Sequence, residues 1–137
     1  PDSFSGARLV APGICVIEGP ASLSNARDRQ QMGPVKKCLE KMADLSGLGL
    51  VVVVDDARFC AETFANFLWV TFLRSNPSHD IYGVNEKTVH KHWGCEGPLM
   101  IDARIKPFHA APLTPDPEVA RRVEQMACHG GPLSGII

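Results

Sequence analysis

Gly49-Leu50-Val51-Val52-Val53-Val54-Asp55-Asp56, followed a few residues later by Phe64-Ala65-Asn66-Phe67-Leu68-Trp69-Val70-Thr71-Phe72-Leu73-Arg74, decides how this chain folds. The first run is too short to span a membrane, is rich in β-branched residues and ends on two carboxylates. It predicts a strand buried on both faces. In the second run Phe64, Phe67, Leu68, Thr71 and Phe72 recur at helical spacing, and Trp69, Val70 and Leu73 widen the apolar face. Asn76-Pro77 stops that helix, and His79 to Gly83 is expected to return as a short strand completing a βαβ unit. The expected fold class is therefore α/β. Residues 1–137 are expected to form a single three-layer-like domain with a mixed, mostly parallel sheet and flanking helices.

Length and composition agree with one ordinary domain. The 137 residues suffice for a real core, and 45% hydrophobic with 21% charged residues argues against disorder. A net charge of −1 lacks the basic footprint of a nucleic-acid binder, so no nucleic-acid partner is expected. No apolar run approaches the ~20 residues of a membrane span and no signal-like segment opens the chain, so no membrane partner is expected and a cytoplasmic location is the default. Cys15, Cys38, Cys60, Cys95 and Cys128 are odd in number and widely spaced, which favours reduced, packed thiols over a disulfide framework. Pro1 without an initiator methionine points to a processed chain or an excised domain.

The flanking segments are less regular. Ala7 to Ile17 predicts either one bulged strand or a short hairpin. Ser22 to Gln31 is able to open a helix, but Gly33-Pro34 is expected to interrupt it, with a new helix from Pro34 carrying Val35, Leu39 and Met42 inward and closing near Ser46-Gly47. Val84 to Gly97 lacks periodicity and reads as a long loop of the kind that carries function. Pro98 to Ile105 returns to strand character, and proline-rich Phe108 to Pro117 crosses the surface extended. Asp116 caps a last helix with Pro117 at its first position and Val119, Val123 and Met126 inward. An apolar tail, Leu133 to Ile137, follows.

Three groupings have chemical potential. Asp55-Asp56 at a strand's carboxyl end suits magnesium, or else one aspartate caps the next helix and the other is solvated. His90, His92 and Cys95, with Glu96 or His79 as a fourth ligand, make a possible zinc set, though without the paired spacing of structural zinc sites. Cys95 with His90 or His92 makes a thiolate–base pair lacking an orienting third residue. Trp93 between them is either a core anchor or a surface that a ligand or neighbouring domain covers. Asp102 and Arg104, two apart in a strand, share a face and suit an ion pair to a neighbouring element.

Taken in order, Val51-Val52-Val53-Val54-Asp55-Asp56, Phe67 to Arg74, Asn76-Pro77-Ser78-His79-Asp80 and Pro98-Leu99-Met100-Ile101-Asp102-Ala103-Arg104-Ile105-Lys106-Pro107 resemble the carboxyl-terminal domain of the UbiD-like decarboxylase/carboxylase family. The resemblance covers about three fifths of the chain, from Leu48 to Cys128. It implies reversible decarboxylation of aromatic or unsaturated acids by prenylated FMN with a divalent metal and potassium. Those groups are held by a flavin-binding domain that this chain lacks, so no catalytic residue is carried over. It also implies a fragment of a larger, oligomeric enzyme. The segment Tyr82 to Gly97 would then face substrate, with His90, His92 and Trp93. Its imidazoles depart from the family's apolar pattern and suit a phenol, carboxylate or phosphate, as in the phenylphosphate carboxylase branch. Two other readings compete: a stand-alone small-ligand or metal-binding domain, and a structural module that pairs with another copy through its last helix.

Overall fold

The computed structural model describes residues 3–110, 114 and 116–136. In chain order its strands are β1 (Ser5–Ala11), β2 (Ile14–Glu18), β3 (Leu50–Val54), β4 (Ile81–Gly83), β5 (Glu86–Val89), β6 (His92–Cys95) and β7 (Leu99–Asp102). The helices are α1 (Asn25–Glu40), α2 (Ala57–Glu62), α3 (Phe64–Arg74) and α4 (Pro117–Ala127). Strand β3 is central and buried on both faces, as its composition predicts. Val51 and Val53 join Met32 and Val35 of α1 on one side, whereas Val52 and Val54 join Ala57, Cys60, Phe67 and Val70 of α2 and α3 on the other. The five-stranded sheet has the order β1-β2-β3-β7-β4. Its inner strands β2, β3 and β7 run parallel, and β1 and β4 pair antiparallel at the edges. This is the expected α/β domain with a mixed sheet between helical layers.

Several local expectations are corrected. The parallel partner of β3 beyond the α2–α3 crossover is β7, not β4. Leu99-Met100-Ile101 suits a strand covered on both faces, whereas Ile81-Tyr82-Gly83 suits an edge. The chain reverses between them through Val84 to Gly97, which is a β-hairpin rather than a loop. Strands β5 and β6 pair from Glu86↔Cys95 to Val89↔His92, and the ladder continues to Val84 and Gly97. Its two-residue connection, His90-Lys91, has φ of 50° and 67°, the positive values of a tight hairpin turn. Sequence reading missed it because Asn-Gly or Asp-Gly, the usual signal, is absent.

Helix α1 runs unbroken through Pro34. Proline removes one ladder donor and strains the preceding turn, at a cost of ~3 kcal/mol in a free helix. Burial of Met32 and Val35 on either side of it holds the helix together. The helix ends at Glu40, so Met42 lies beyond it and is exposed. Ala7 to Ile17 resolves as the hairpin β1–β2 with register shifts, turning at Pro12-Gly13, where Gly13 has φ of 79°.

Two apolar faces are turned outward. On α3 the buried residues are Phe67, Val70 and Thr71; Phe64, Leu68, Trp69, Phe72 and Leu73 are exposed. On α4, Asp116 caps as expected and Pro117 opens the helix, but Val119, Val123 and Met126 are exposed and no residue is buried. The spacing of both helices was legible; the identity of what they pack against was not. Among the cysteines only Cys60 is fully buried, and Cys38 and Cys128 are exposed, which corrects the expectation of packed thiols there. Part of the segment expected to be extended, residues 111–113 and 115, and the last residue of the apolar tail, 137, lie outside the described residues.

Candidate functional site

In open α/β sheets ligands gather beyond the carboxyl ends of the parallel strands. Here β2, β3 and β7 deliver Glu18, Asp55, Asp56 and Asp102 to that edge, and each carboxylate is engaged by the chain itself. Glu18 accepts from the Ala57 N–H at 3.1 Å, and Asp56 caps α2 through the Phe59 N–H at 2.9 Å. Asp55 accepts from Arg74 Nη1 at 3.1 Å and from the Ile105 N–H at 2.8 Å. The capping half of the ordinary reading of Asp55-Asp56 holds for Asp56; Asp55 is paired rather than simply solvated.

Below this edge lies a buried ionic network that spacing alone did not reveal. Arg104 forms a fork on Asp102, Nε to Oδ1 at 2.8 Å and Nη2 to Oδ2 at 2.7 Å. Its Nη1 donates to the Pro20 carbonyl and to Gln31 Oε1, both at 2.6 Å, and Asp28 of α1 stands 3.6 Å from Nη2. Lys106 Nζ donates to the Asp102 and Arg104 carbonyls at 3.0 and 3.3 Å and faces Asp102 at 3.4 Å and Asp80 at 3.7 Å. Asp102, Arg104 and Lys106 are almost wholly buried. Burial alone would push the Asp102 carboxyl upward, but the hydrogen bonds from Arg104 and the charges of Lys106 and Arg104 outweigh it and hold the group below its ordinary range. Burial likewise opposes the Arg104 charge, and Asp102 reverses the sign. With every ion partnered, the cluster ties α1, β7 and the β2–α1 connection together.

The sequence-predicted residues His90, His92 and Trp93 sit on the β5–β6 hairpin and are exposed. His90 occupies the turn. The pairing Thr88↔Trp93 and Val89↔His92 sends Trp93 and His92 to opposite faces of the ribbon. Trp93 lies against β4: a Cβ on Gly83 would come within 2.5 Å of the Cys95 Cβ and 3.0 Å of the Trp93 ring. Its Nε1 donates to Glu86 at 3.3 Å, and half its surface stays exposed. Cys95 Sγ points to the Gly97 carbonyl at 3.3 Å, on the ribbon face opposite His92. Neither a Cys/His pair nor the zinc set is assembled, and no group of three metal-ligating side chains occurs among the described residues.

Two recesses stand out among the described residues. An open groove of about 530 Å³ is lined by Pro12, Gly13, Ile14 and residues 47–50, with no charged side chain. A more enclosed cleft of about 280 Å³ lies between α1 and β4–β5, lined by Arg29, Met32, Gly33, Lys36, Ile81, Tyr82 and Glu86. Neither fits a flavin mononucleotide. The groove brings no charged side chain to a phosphate dianion, and the cleft is smaller than the ~300–1,000 Å³ usual for larger ligands. Burial raises the Tyr82 hydroxyl above its usual range, with Asp102 and Asp80 adding to the effect and Arg29 opposing it.

No family model matches the chain. It is 25% identical over 92 residues to a subunit of the 4-hydroxybenzoate decarboxylase of Chlamydia pneumoniae, a match covering 65% of this chain and 16% of the relative. It is 31% identical over 86 residues to an uncharacterized protein of Chlamydia muridarum (strain MoPn / Nigg), covering 62% of this chain and 15% of that one. The chain thus spans about one sixth of the length of the relatives it matches. Two open-form structures of Sedimentibacter hydroxybenzoicus vanillic acid decarboxylase align with 81% of this chain and 25% of theirs, at 15% identity and TM-scores of 0.47 and 0.49. No helix among the described residues is long and apolar enough to cross a membrane.

Proposed function

We propose that this chain is a substrate-capping domain of a longer, UbiD-like aromatic-acid decarboxylase or carboxylase, with no reaction centre of its own. The similarity to a 4-hydroxybenzoate decarboxylase subunit supplies the class of reaction. The observation that carries the reading is α3. A helix apolar all round is normally buried all round, yet Phe72 and Leu73 are 70% and 64% exposed and Trp69 is half exposed. With Phe59, Phe64 and Leu68 they present six large apolar side chains to the outside, a surface of the kind that marks an interaction site.

In this reading the flavin-binding domain of the same enzyme covers α3 and holds prenylated FMN, a divalent metal and potassium. The β5–β6 hairpin reaches over that site, and His90, Lys91, His92 and Trp93 present donors and a ring to an aromatic acid such as a hydroxybenzoate. The exposed stripe of α4 pairs with a second copy in a homo-oligomer. Native purification through a tag on this chain tests the reading. A flavin at one per chain and 4-hydroxybenzoate decarboxylation are expected to co-purify. Phe72→Asp, which touches no core contact, is expected to lower turnover at least tenfold. A colourless, inactive preparation, or indifference to Phe72→Asp, would contradict it.

A further inference from the structure

The cleft between α1 and the β4–β5 corner has an asymmetry of charge. At one end Lys36 Nζ meets Glu86 Oε1 at 2.5 Å, and Trp93 donates to the other carboxylate oxygen, so that wall carries no net charge. At the other end Arg29 pairs with no carboxylate among the described residues. The acids nearest Tyr82, Asp80 and Asp102, are held by Lys106 and Arg104. Among the described residues, then, a cation with no carboxylate partner faces a recess whose remaining walls include Met32 and Ile81. Between the two cations Gly33 leaves the middle open: a Cβ there would meet no atom within 4 Å. Glycine inside a helix costs ~1 kcal/mol relative to alanine, and α1 already carries Pro34, so helix stability does not account for it.

We propose that this cleft binds a small monocarboxylate with an apolar, ring-sized body. The carboxylate pairs with Arg29 beside the Tyr82 hydroxyl, and the body lies over Gly33 against Met32 and Ile81. A phosphate dianion is less well matched, because of the two cations lining the cleft Lys36 is already paired with Glu86. The inference stands on the cleft alone and not on the decarboxylase reading.

Titration of the ¹⁵N-labelled chain with benzoate, followed by NMR, tests it. Saturable shifts are expected at the amides of Arg29, Met32, Gly33, Tyr82 and Glu86, with benzamide and inorganic phosphate at least tenfold weaker. Arg29→Gln is expected to weaken benzoate at least tenfold. Gly33→Leu is expected to abolish binding while resonances outside the cleft keep their positions. Absence of saturable shifts at these amides, benzamide binding as tightly as benzoate, or unchanged affinity in either variant would overturn the proposal. Benzoate binding by the chain, alongside a natively purified complex that lacks flavin and turnover, would sink the decarboxylase reading and leave this site standing.

Discussion

Asp102 and Arg104 show how little of a buried ion network is readable one residue at a time. Their spacing placed both side chains on one face, but the convergence of Asp28, Asp80 and Lys106 depends on three elements meeting, which no local pattern encodes. Replacing Asp102 breaks the two-bond fork on Arg104 and leaves only the more distant carboxylates, Asp28 at 3.6 Å from Arg104 and Asp80 at 3.7 Å from Lys106; breaking a buried pair in this way costs ~3–5 kcal/mol. Asp102→Asn is expected to lower stability by about that amount at pH 7, measured by urea unfolding. The Asp102 carboxyl is depressed in the folded protein, so its contribution is present above the ordinary carboxylate value of ~3.9 and is lost as pH falls through the folded value. The stability gap between wild type and Asp102→Asn should therefore narrow progressively below about pH 4, and a pH-independent gap would contradict the assignment. Gly19 belongs to the same neighbourhood, since a Cβ there would lie 2.6 Å from Val53 Cγ1 and 3.0 Å from Arg104 Cδ. Gly19→Ala is expected to cost ~1–3 kcal/mol in the same assay, as overpacking does.

Elements were legible where composition and burial agree. The Val51–Val54 run could be read as a two-sided strand because neither face needed a polar residue, and Asp116-Pro117 marked the start of α4 through capping chemistry alone. The hairpin β5–β6 escaped because Glu86-Lys87-Thr88-Val89 has no apolar alternation and its turn uses His90-Lys91. Both turn residues adopt positive φ, which side chains resist. Substituting Asn-Gly at these positions is expected to raise stability by ~0.5–1 kcal/mol, visible as a higher Tm. An unchanged or lower Tm would mean that His90 or Lys91 makes a compensating contact. Helix α1 illustrates the opposite error, because Gly33-Pro34 is a sound local stop signal that Met32 and Val35 override by packing on Val51 and Val53.

At the scale of the whole molecule, the carboxylates at the carboxyl edge of the sheet are engaged by the chain's own donors, while the apolar sides of α3 and α4 face outward. The two described recesses suit no flavin, and no described group of side chains suits a metal. In the proposed reading, the exposed apolar side of α3 is the surface that the flavin-binding domain would cover. The fold follows from the valine strand and its neighbours; the function does not, because the outward faces are defined by what covers them. The most direct measurement is made on the purified 137-residue chain, by visible absorbance for flavin and by CO₂ release from 4-hydroxybenzoate supplied with prenylated FMN, a divalent metal and potassium. The account predicts a colourless protein with no turnover above the protein-free reaction. Flavin retained at one per chain, or decarboxylation by the chain alone, would contradict it.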